Sequence, residues 1–146
     1  MLFRSVTCPI RWKARVGAAA PHAFTGVNTE LGVSNVGTYS KVVLAVRGNG
    51  RKLRARFPML KQLTHAKMDP DGCSSRDYDM YGQEFVCGDG SERWIEVPLD
   101  LASLQQQGWG NAWPLERTDF YMLQLQNADS PEGEFQCDFR ILRLER

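Results

Sequence analysis

Apolar and polar residues alternate most cleanly between Tyr39 and Phe57. Two runs, Lys41-Val-Val-Leu-Ala-Val-Arg47 and Lys52-Leu-Arg-Ala-Arg-Phe57, flank Gly48-Asn49-Gly50. Period-2 hydrophobicity marks strands, and Asn-Gly between two such runs predicts a hairpin, because only residues tolerant of positive φ fit its tight turn. In the second run Leu53, Ala55 and Phe57 share one face, while Lys52, Arg54 and Arg56 share the other. The pattern predicts an antiparallel sheet with one buried and one basic face.

The same reading continues along the chain. Phe24 to Gly37 is rich in Gly, Asn and Thr and predicts a short strand with turns. Residues 58–76 contain Pro58, Pro70 and the turn Asp69-Pro-Asp-Gly72, which predicts a long connection. Strands are predicted at Asp77–Val86 and at Arg93–Leu99, the second with Ile95, Val97 and Leu99 on one face. Pro98 places that strand at an edge or a strand end. Asp100–Gln107 is the one stretch that reads as helical, and Gly108 stops it after about two turns. Phe120–Gln126 and Phe135–Leu144 are two more strands around a turn-forming segment. Short strands separated by turn signals predict an all-β sandwich or jelly roll, mostly antiparallel, with one short helix.

A chain of 146 residues fits one domain with its own core. No apolar run approaches the roughly 20 residues of a transmembrane segment. The net charge of +1 gives no bulk attraction to nucleic acid. The charge is unevenly placed, however. No acid precedes Glu30, whereas Arg4, Arg11, Lys13 and Arg15 do, followed by Gly17-Ala-Ala-Ala-Pro21. Residues 1–21 therefore read as a basic arm or a transit-like segment, and residues 22–146 as the folded domain. Of the four cysteines, Cys137 alternates in phase with Phe135, Phe139 and Ile141 and reads as a small core residue. Cys73 and Cys87 flank one predicted strand, with a disulfide between them and free thiols as the two alternatives. Cys8, Cys73, Cys87 and Cys137 have no CxxC spacing, so no zinc site is expected.

Four passages resemble a known family. They are Phe24-Thr-Gly-Val-Asn-Thr29, Leu44-Ala-Val-Arg-Gly-Asn-Gly-Arg51, Tyr81–Phe85 followed by Glu92-Arg-Trp-Ile-Glu-Val-Pro-Leu99, and Gly133-Glu-Phe-Gln-Cys-Asp-Phe-Arg-Ile141. Together they resemble the complex I intermediate-associated protein 30 family and, more distantly, the family 11 carbohydrate-binding modules. Asn49 stands where the first family usually has Asp, and Met1–Pro21 stands where it usually has a further strand. The resemblance implies a galactose-binding-like jelly roll and non-catalytic work. The expected role is an accessory subunit or assembly factor on a respiratory or photosynthetic membrane complex, peripheral to the inner or thylakoid membrane of a mitochondrion or chloroplast. The alternative it implies is a glycan-holding module. Neither requires a cofactor.

Candidate sites follow from the residues. Arg47, Arg51, Lys52, Arg54, Arg56 and Lys61 form the densest basic patch. Alternation sets Lys52, Arg54 and Arg56 about 7 Å apart on one face. Guanidinium forks in a row suit acidic protein surfaces or lipid headgroups, and the competing reading is a solvated sheet face. Trp109, Asn111 and Trp113 lie in the Gly-containing segment Gly108-Trp-Gly-Asn-Ala-Trp113. Indoles there suit sugar stacking, a protein interface, or a cap on the core. Trp94, within a predicted strand, reads as core. Asp69, Asp71, Asp77 and Asp79 have the oxygen density of a Ca²⁺ site, yet the same pattern is good turn chemistry, and no metal is expected. His22 and His65 stand alone and read as surface residues. Glu92 and Glu96 announce no cleft of the kind that paired glycosidase carboxylates need. The chain is expected not to be an enzyme.

Overall fold

The computed structural model describes residues 10–16, 26–30, 36–70, 75–120, 122–128 and 133–146. Its strands are β1 (Ile10–Val16), β2 (Gly26–Glu30), β3 (Lys41–Gly48), β4 (Lys52–Arg56), β5 (Gly82–Val86), β6 (Ile95–Asp100), β7 (Met122–Asn127) and β8 (Gly133–Glu145). A helix, α1 (Leu60–Met68), lies between β4 and β5. Sheet A runs β1-β8-β3-β6 and sheet B runs β2-β7-β4-β5, with every pair antiparallel.

The alternation read from the sequence sets what lies between the sheets. Leu44 and Val46 of β3 and Phe135, Cys137, Phe139 and Ile141 of β8 face Leu53 and Ala55 of β4, Phe85 of β5, and Leu123 and Leu125 of β7. A slip between Val43 and Leu44 in the pairing with β8 shifts the phase, so that Leu144 follows Ile141 into the core while Arg143 points away. Val43 and Ala45 are buried on the outer side too. There Arg143 and Pro98 flank Val43 in register, and Arg140 and Glu96 flank Ala45, so long side chains roof small ones.

The expected hairpin does not form. β3 and β4 lie in different sheets, and Gly48-Asn49-Gly50 carries the chain across the end of the core. Each strand already has two neighbours, β8 and β6 for β3 and β7 and β5 for β4. Pairing them with each other would leave their apolar faces side by side instead of opposed. The crossing is fixed by Asn49 N–H donating to the Gln136 carbonyl at 3.2 Å and Gly50 N–H to that of Cys87 at 2.9 Å. Gly48 is required there: a Cβ would sit 2.2 Å from the Gln136 carbonyl and 2.8 Å from Cys87 Sγ. Gly50 adopts φ +79°, which only the Asn-Gly character of the segment could foretell.

Three further expectations are corrected. The helix is at Leu60–Met68, inside the expected long connection, and buries only Gln62 and Ala66. Asp100–Gln107 is not helical. The Asp100 carboxylate accepts from Ala102 N–H and the Ser103 hydroxyl, but Gln105 then exchanges backbone hydrogen bonds with Gly82, which requires extended backbone. The cysteine assignments also change: Cys87 pairs with Cys137, joining the residue after β5 in sheet B to β8 in sheet A. Cys73 lies outside the described residues. Within residues 1–21, Ile10–Val16 is an edge strand on this chain's own β8, with Trp12 stacked on Phe135. No helix among the described residues is long and apolar enough to cross a membrane.

The disulfide closes a loop across 50 residues of sequence. Chain-entropy scaling for such a loop gives about 4 kcal/mol. Cys137→Ser is expected to lower the unfolding free energy by that order in denaturant titration, and a reducing agent is expected to shift the midpoint of the unaltered protein in the same direction. An unchanged midpoint under reduction would contradict the bond.

Candidate functional site

The basic row of β4 is where outward polarity was expected, and its geometry differs from a solvated stripe. Arg54 and Arg56 do lie on the outer face of sheet B, since Leu53 and Ala55 fill the core. Arg54 is only 8 % exposed, because the segment around Tyr78–Tyr81 and the backbone at Gln105 lie over it. Its guanidinium donates to the carbonyls of Met80 and Gln105. Arg56 donates to Gln126 Oε1 and, at 2.5 Å, to the Tyr78 carbonyl. Burial first, and then the neighbouring Arg54 charge, brings Arg56 down to about 10, and burial lowers Arg54 as well. Both remain cations at neutral pH. They hold the loops over β5 onto the sheet.

The other four basic residues are also engaged. Arg47 donates to Asp138 at 2.8 Å, and Arg51 lies 4.1 Å over the Phe135 ring. Lys52 lies 3.8 Å from Glu84, and Lys61 donates to Glu116 at 2.8 Å. The six therefore do not form one outward surface: Arg47 belongs to sheet A, Lys61 to α1, and the rest to β4 and the turn before it.

Across β2, β7 and β4 the outer face of sheet B is a polar band. Asn28 stands opposite Gln124, which stands opposite Arg56, and Gln126 stands opposite Arg54. Gln124 donates to Asn28 Oδ1 at 2.8 Å. Asn28 is exposed, Gln124, Gln126 and Arg56 are partly exposed, and Gln124 and Gln126 are already oriented by Asn28 and Arg56. The sequence reading took Phe120–Gln126 only as a strand, and nothing in the chain announced that β2 and β4 flank Gln124 and Gln126.

The loop carrying Trp109 borders this sheet beyond β5. Two buried aspartates build it. Asp79 accepts backbone N–H groups from Gln107 at 2.9 Å, Gly108 at 2.8 Å and Gly110 at 3.1 Å. Asp77 accepts from Asn111 Nδ2 at 2.9 Å and Trp113 Nε1 at 3.0 Å, and lies 2.5 Å from His65 Nδ1. The strand expected at Asp77–Val86 therefore begins only at Gly82, and Asp77 and Asp79 anchor a distant loop, a role that neither the Ca²⁺ reading nor the local-turn reading described; Asp71 lies outside the described residues. His65 is not solitary: it meets Asp77 and lies edge-on to Trp113. Among the described residues no group of acids, histidines or cysteines has metal-site geometry.

Trp113 packs against the core with its indole N–H committed to Asp77. Asn111 is likewise held by Asp77. Trp109 is the indole left outward, 50 % exposed, with Gln107 beside it. Trp94 is not a core residue. It is half-buried on the outer face of sheet A, 4.7 Å below Arg47 and 5.3 Å from Arg140.

Arg47 takes part in an arrangement that the sequence reading missed. Arg11 of β1, Asp138 of β8 and Arg47 of β3 are neighbours in register across three strands. Arg11 donates to both oxygens of buried Asp138, at 2.8 and 3.1 Å. The Arg11 hydrogen bond, assisted by Arg47 and opposed by burial, holds the Asp138 carboxyl below its usual range. For Asp77, burial pushes upward, but the bonds from Asn111, Trp113 and His65 outweigh it and the net shift is downward.

No protein-family model matches this chain, and no curated protein matches it. The resemblance to the complex I intermediate-associated protein 30 family is therefore not shown. Solved structures do match. One is the family 11 carbohydrate-binding module of the cellulosomal cellulase Lic26A-Cel5E of Clostridium thermocellum, with a TM-score of 0.53, 10 % identity, and coverage of 94 % of this chain and 82 % of that one. Another is a family 11 carbohydrate-binding module from Clostridium thermocellum in complex with a β-1,3-1,4-mixed-linked tetrasaccharide, with a TM-score of 0.54, 9 % identity, and coverage of 94 % and 83 %. At such identity the likeness defines the fold: a mostly antiparallel jelly-roll β-sandwich with one helix.

Two outcomes follow from the buried carboxylates. Asp79→Asn places a donor against backbone donors and is expected to cost about 2–3 kcal/mol, with faster amide exchange at Gln107, Gly108 and Gly110. Asp77 and Asp138 have folded values below the ordinary 3.8. Their stabilisation is thus complete well above pH 3.8 and is lost as pH falls through those lower folded values. Acid unfolding of Asp138→Asn is accordingly expected to start from a lower stability and to fall less steeply in that window, as measured by circular dichroism across pH.

Proposed function

We propose that this chain is a non-catalytic β-sandwich module that holds a glycan on the outer face of sheet B. The observation that carries the reading is the ordered row of hydrogen-bonding side chains across three strands, Asn28, Gln124, Gln126 and Arg56, on a sheet whose far edge, past β5, meets the loop that presents Trp109. Sugars offer hydroxyls that act as both donor and acceptor, which amides match in either direction and guanidinium matches as donor. Their C–H faces stack on indole. Because Gln124 is already held by Asn28, and Gln126 by Arg56, less rotamer freedom is lost when a ligand arrives. The shared fold with carbohydrate-binding modules, one of them seen with a mixed-linked tetrasaccharide, supports the same reading.

The scaffold reading requires a basic row free to meet a partner. Arg54 and Arg56 instead cap this chain's own carbonyls and Lys61 meets Glu116, so no specific observation favours it over glycan binding.

Affinity electrophoresis against a panel of neutral polysaccharides that includes mixed-linked β-glucan tests the proposal. Retardation by at least one polymer is expected, weakened about tenfold by Gln124→Ala and by Trp109→Ala. The absence of retardation across the panel would overturn it, as would retardation indifferent to both substitutions.

A further inference from the structure

On the opposite side of the molecule, the outer face of sheet A carries a cavity of about 300 Å³, lined by Arg11, Arg47, Ser91, Glu92, Gln136 and Asp138 among others. That volume is at the small end of ligand pockets. Its floor is rigid, since β1, β8 and β3 contribute Arg11, Asp138 and Arg47 at adjoining register positions. The turn after Cys87 closes one side: Gly90 N–H donates to the Gly48 carbonyl at 3.0 Å, and Asp89 holds Ser91 through N–H and hydroxyl at 2.9 and 2.5 Å.

The lining pairs two arginines with two carboxylates, and the excess of cations comes from residues next to it. Asp138 engages Nε and Nη2 of Arg11 and Nε of Arg47, fixing the planes of two guanidinium groups with one carboxylate. Lys13 stands beside Gln136 in register, and Arg140 adds a further cation against Trp94. Against these stand Asp138 itself and Glu92, whose fully exposed carboxylate is 3.9 Å from Arg47 Nη1. Glu134 stands opposite Arg15 further along. Two guanidinium groups held in fixed planes in a preformed hollow, with Lys13 and Arg140 as neighbouring cations, form an arrangement that suits an oxyanion.

We propose that this cavity is a second binding site, separate from the sheet B platform, for an acidic sugar: a uronic acid whose carboxylate meets Arg11 and Arg47 and whose hydroxyls meet Gln136 and Ser91. The saccharide part rests on the glycan reading above, whereas the anion part stands on the charges alone. Asp138 is a positioning residue here, acting through the two arginines, and Glu92 is the internal competitor that an anion displaces.

Titration with glucuronic acid, followed by nuclear magnetic resonance of the Trp94 indole and the Gln136 amide, tests the site. Glucose serves as the neutral control and inorganic sulfate as the bare anion. Glucuronate is expected to shift both signals and glucose to leave them in place. Arg47→Gln is expected to weaken binding about tenfold. Two exposed positions guard against a folding defect: Lys13→Gln is expected to weaken binding a few-fold, and Glu92→Gln to tighten it a few-fold. An equal response to glucose would overturn the proposal, as would affinity unmoved by both Lys13→Gln and Glu92→Gln. Sulfate binding as tightly as glucuronate would overturn its saccharide part. Gln124→Ala is expected to leave glucuronate binding intact, so failure of the sheet B platform is read separately.

Discussion

Everything in this fold depends on two apolar faces being opposed across a gap instead of lying side by side. The runs at Lys41–Gly48 and Lys52–Arg56 are adjacent in sequence, yet each takes a different sheet. The crossing at Gly48-Asn49-Gly50 permits this only because Gly48 lets the Gln136 backbone and the Cys87 sulfur approach where a side chain would clash. Once Leu44, Val46, Phe135 and Phe139 face Leu53, Ala55, Leu123 and Leu125, the remaining alternate positions are forced outward. The polar band of Gln124 and Gln126 and the Arg11–Asp138–Arg47 row are the outward halves of strands whose inward halves make the core.

The strands themselves were legible because burial on one face imposes a two-residue period that survives in the sequence. β4, β6, β7 and β8 carry it, whereas β3, covered on both faces, shows an unbroken apolar run from Val42 to Val46. Their partners were not legible. Asn49 and the flanking glycines signal a reversal of the chain, and a reversal within one sheet uses the same residues as one between two sheets. The helix escaped notice because α1 buries only Gln62 and Ala66, so no apolar stripe marks it. Asp100 and the leucines after it imitate a helix start, but the pairing of Gln105 with Gly82 is a long-range fact that overrides local preference. Trp12 and Ala14 alternate with Arg11, Lys13 and Arg15, a strand period that coincides with the acid-free basic stretch.

The candidate sites were legible in kind and not in place. Arginine alternation placed Arg54 and Arg56 on an outer face correctly, while the loops that cover them come from residues more than twenty positions away. Trp109 and Trp113 look equivalent in sequence. Their difference arises because Asp77 takes the indole N–H of Trp113 and leaves Trp109 outward. Asp138 gave one weak sign, an acid inserted between Cys137 and Phe139 on a strand otherwise rich in core residues, and its meaning depended on β1 arriving beside it.

The position of β8 has a consequence for how the polypeptide acquires this shape. β8 is the last strand, yet it is the one to which both β1 and β3 bind, with Ile10 opposite Phe139 and Val46 opposite that same residue on the other side. During synthesis at the ribosome, sheet A stays in two parts, β3 paired only with β6, until β8 emerges, and β1 must wait through more than a hundred residues for its neighbour. Closure of that distant pairing is an entropically slow step. The earlier-made strands therefore depend on the last one to hide their unpaired edges.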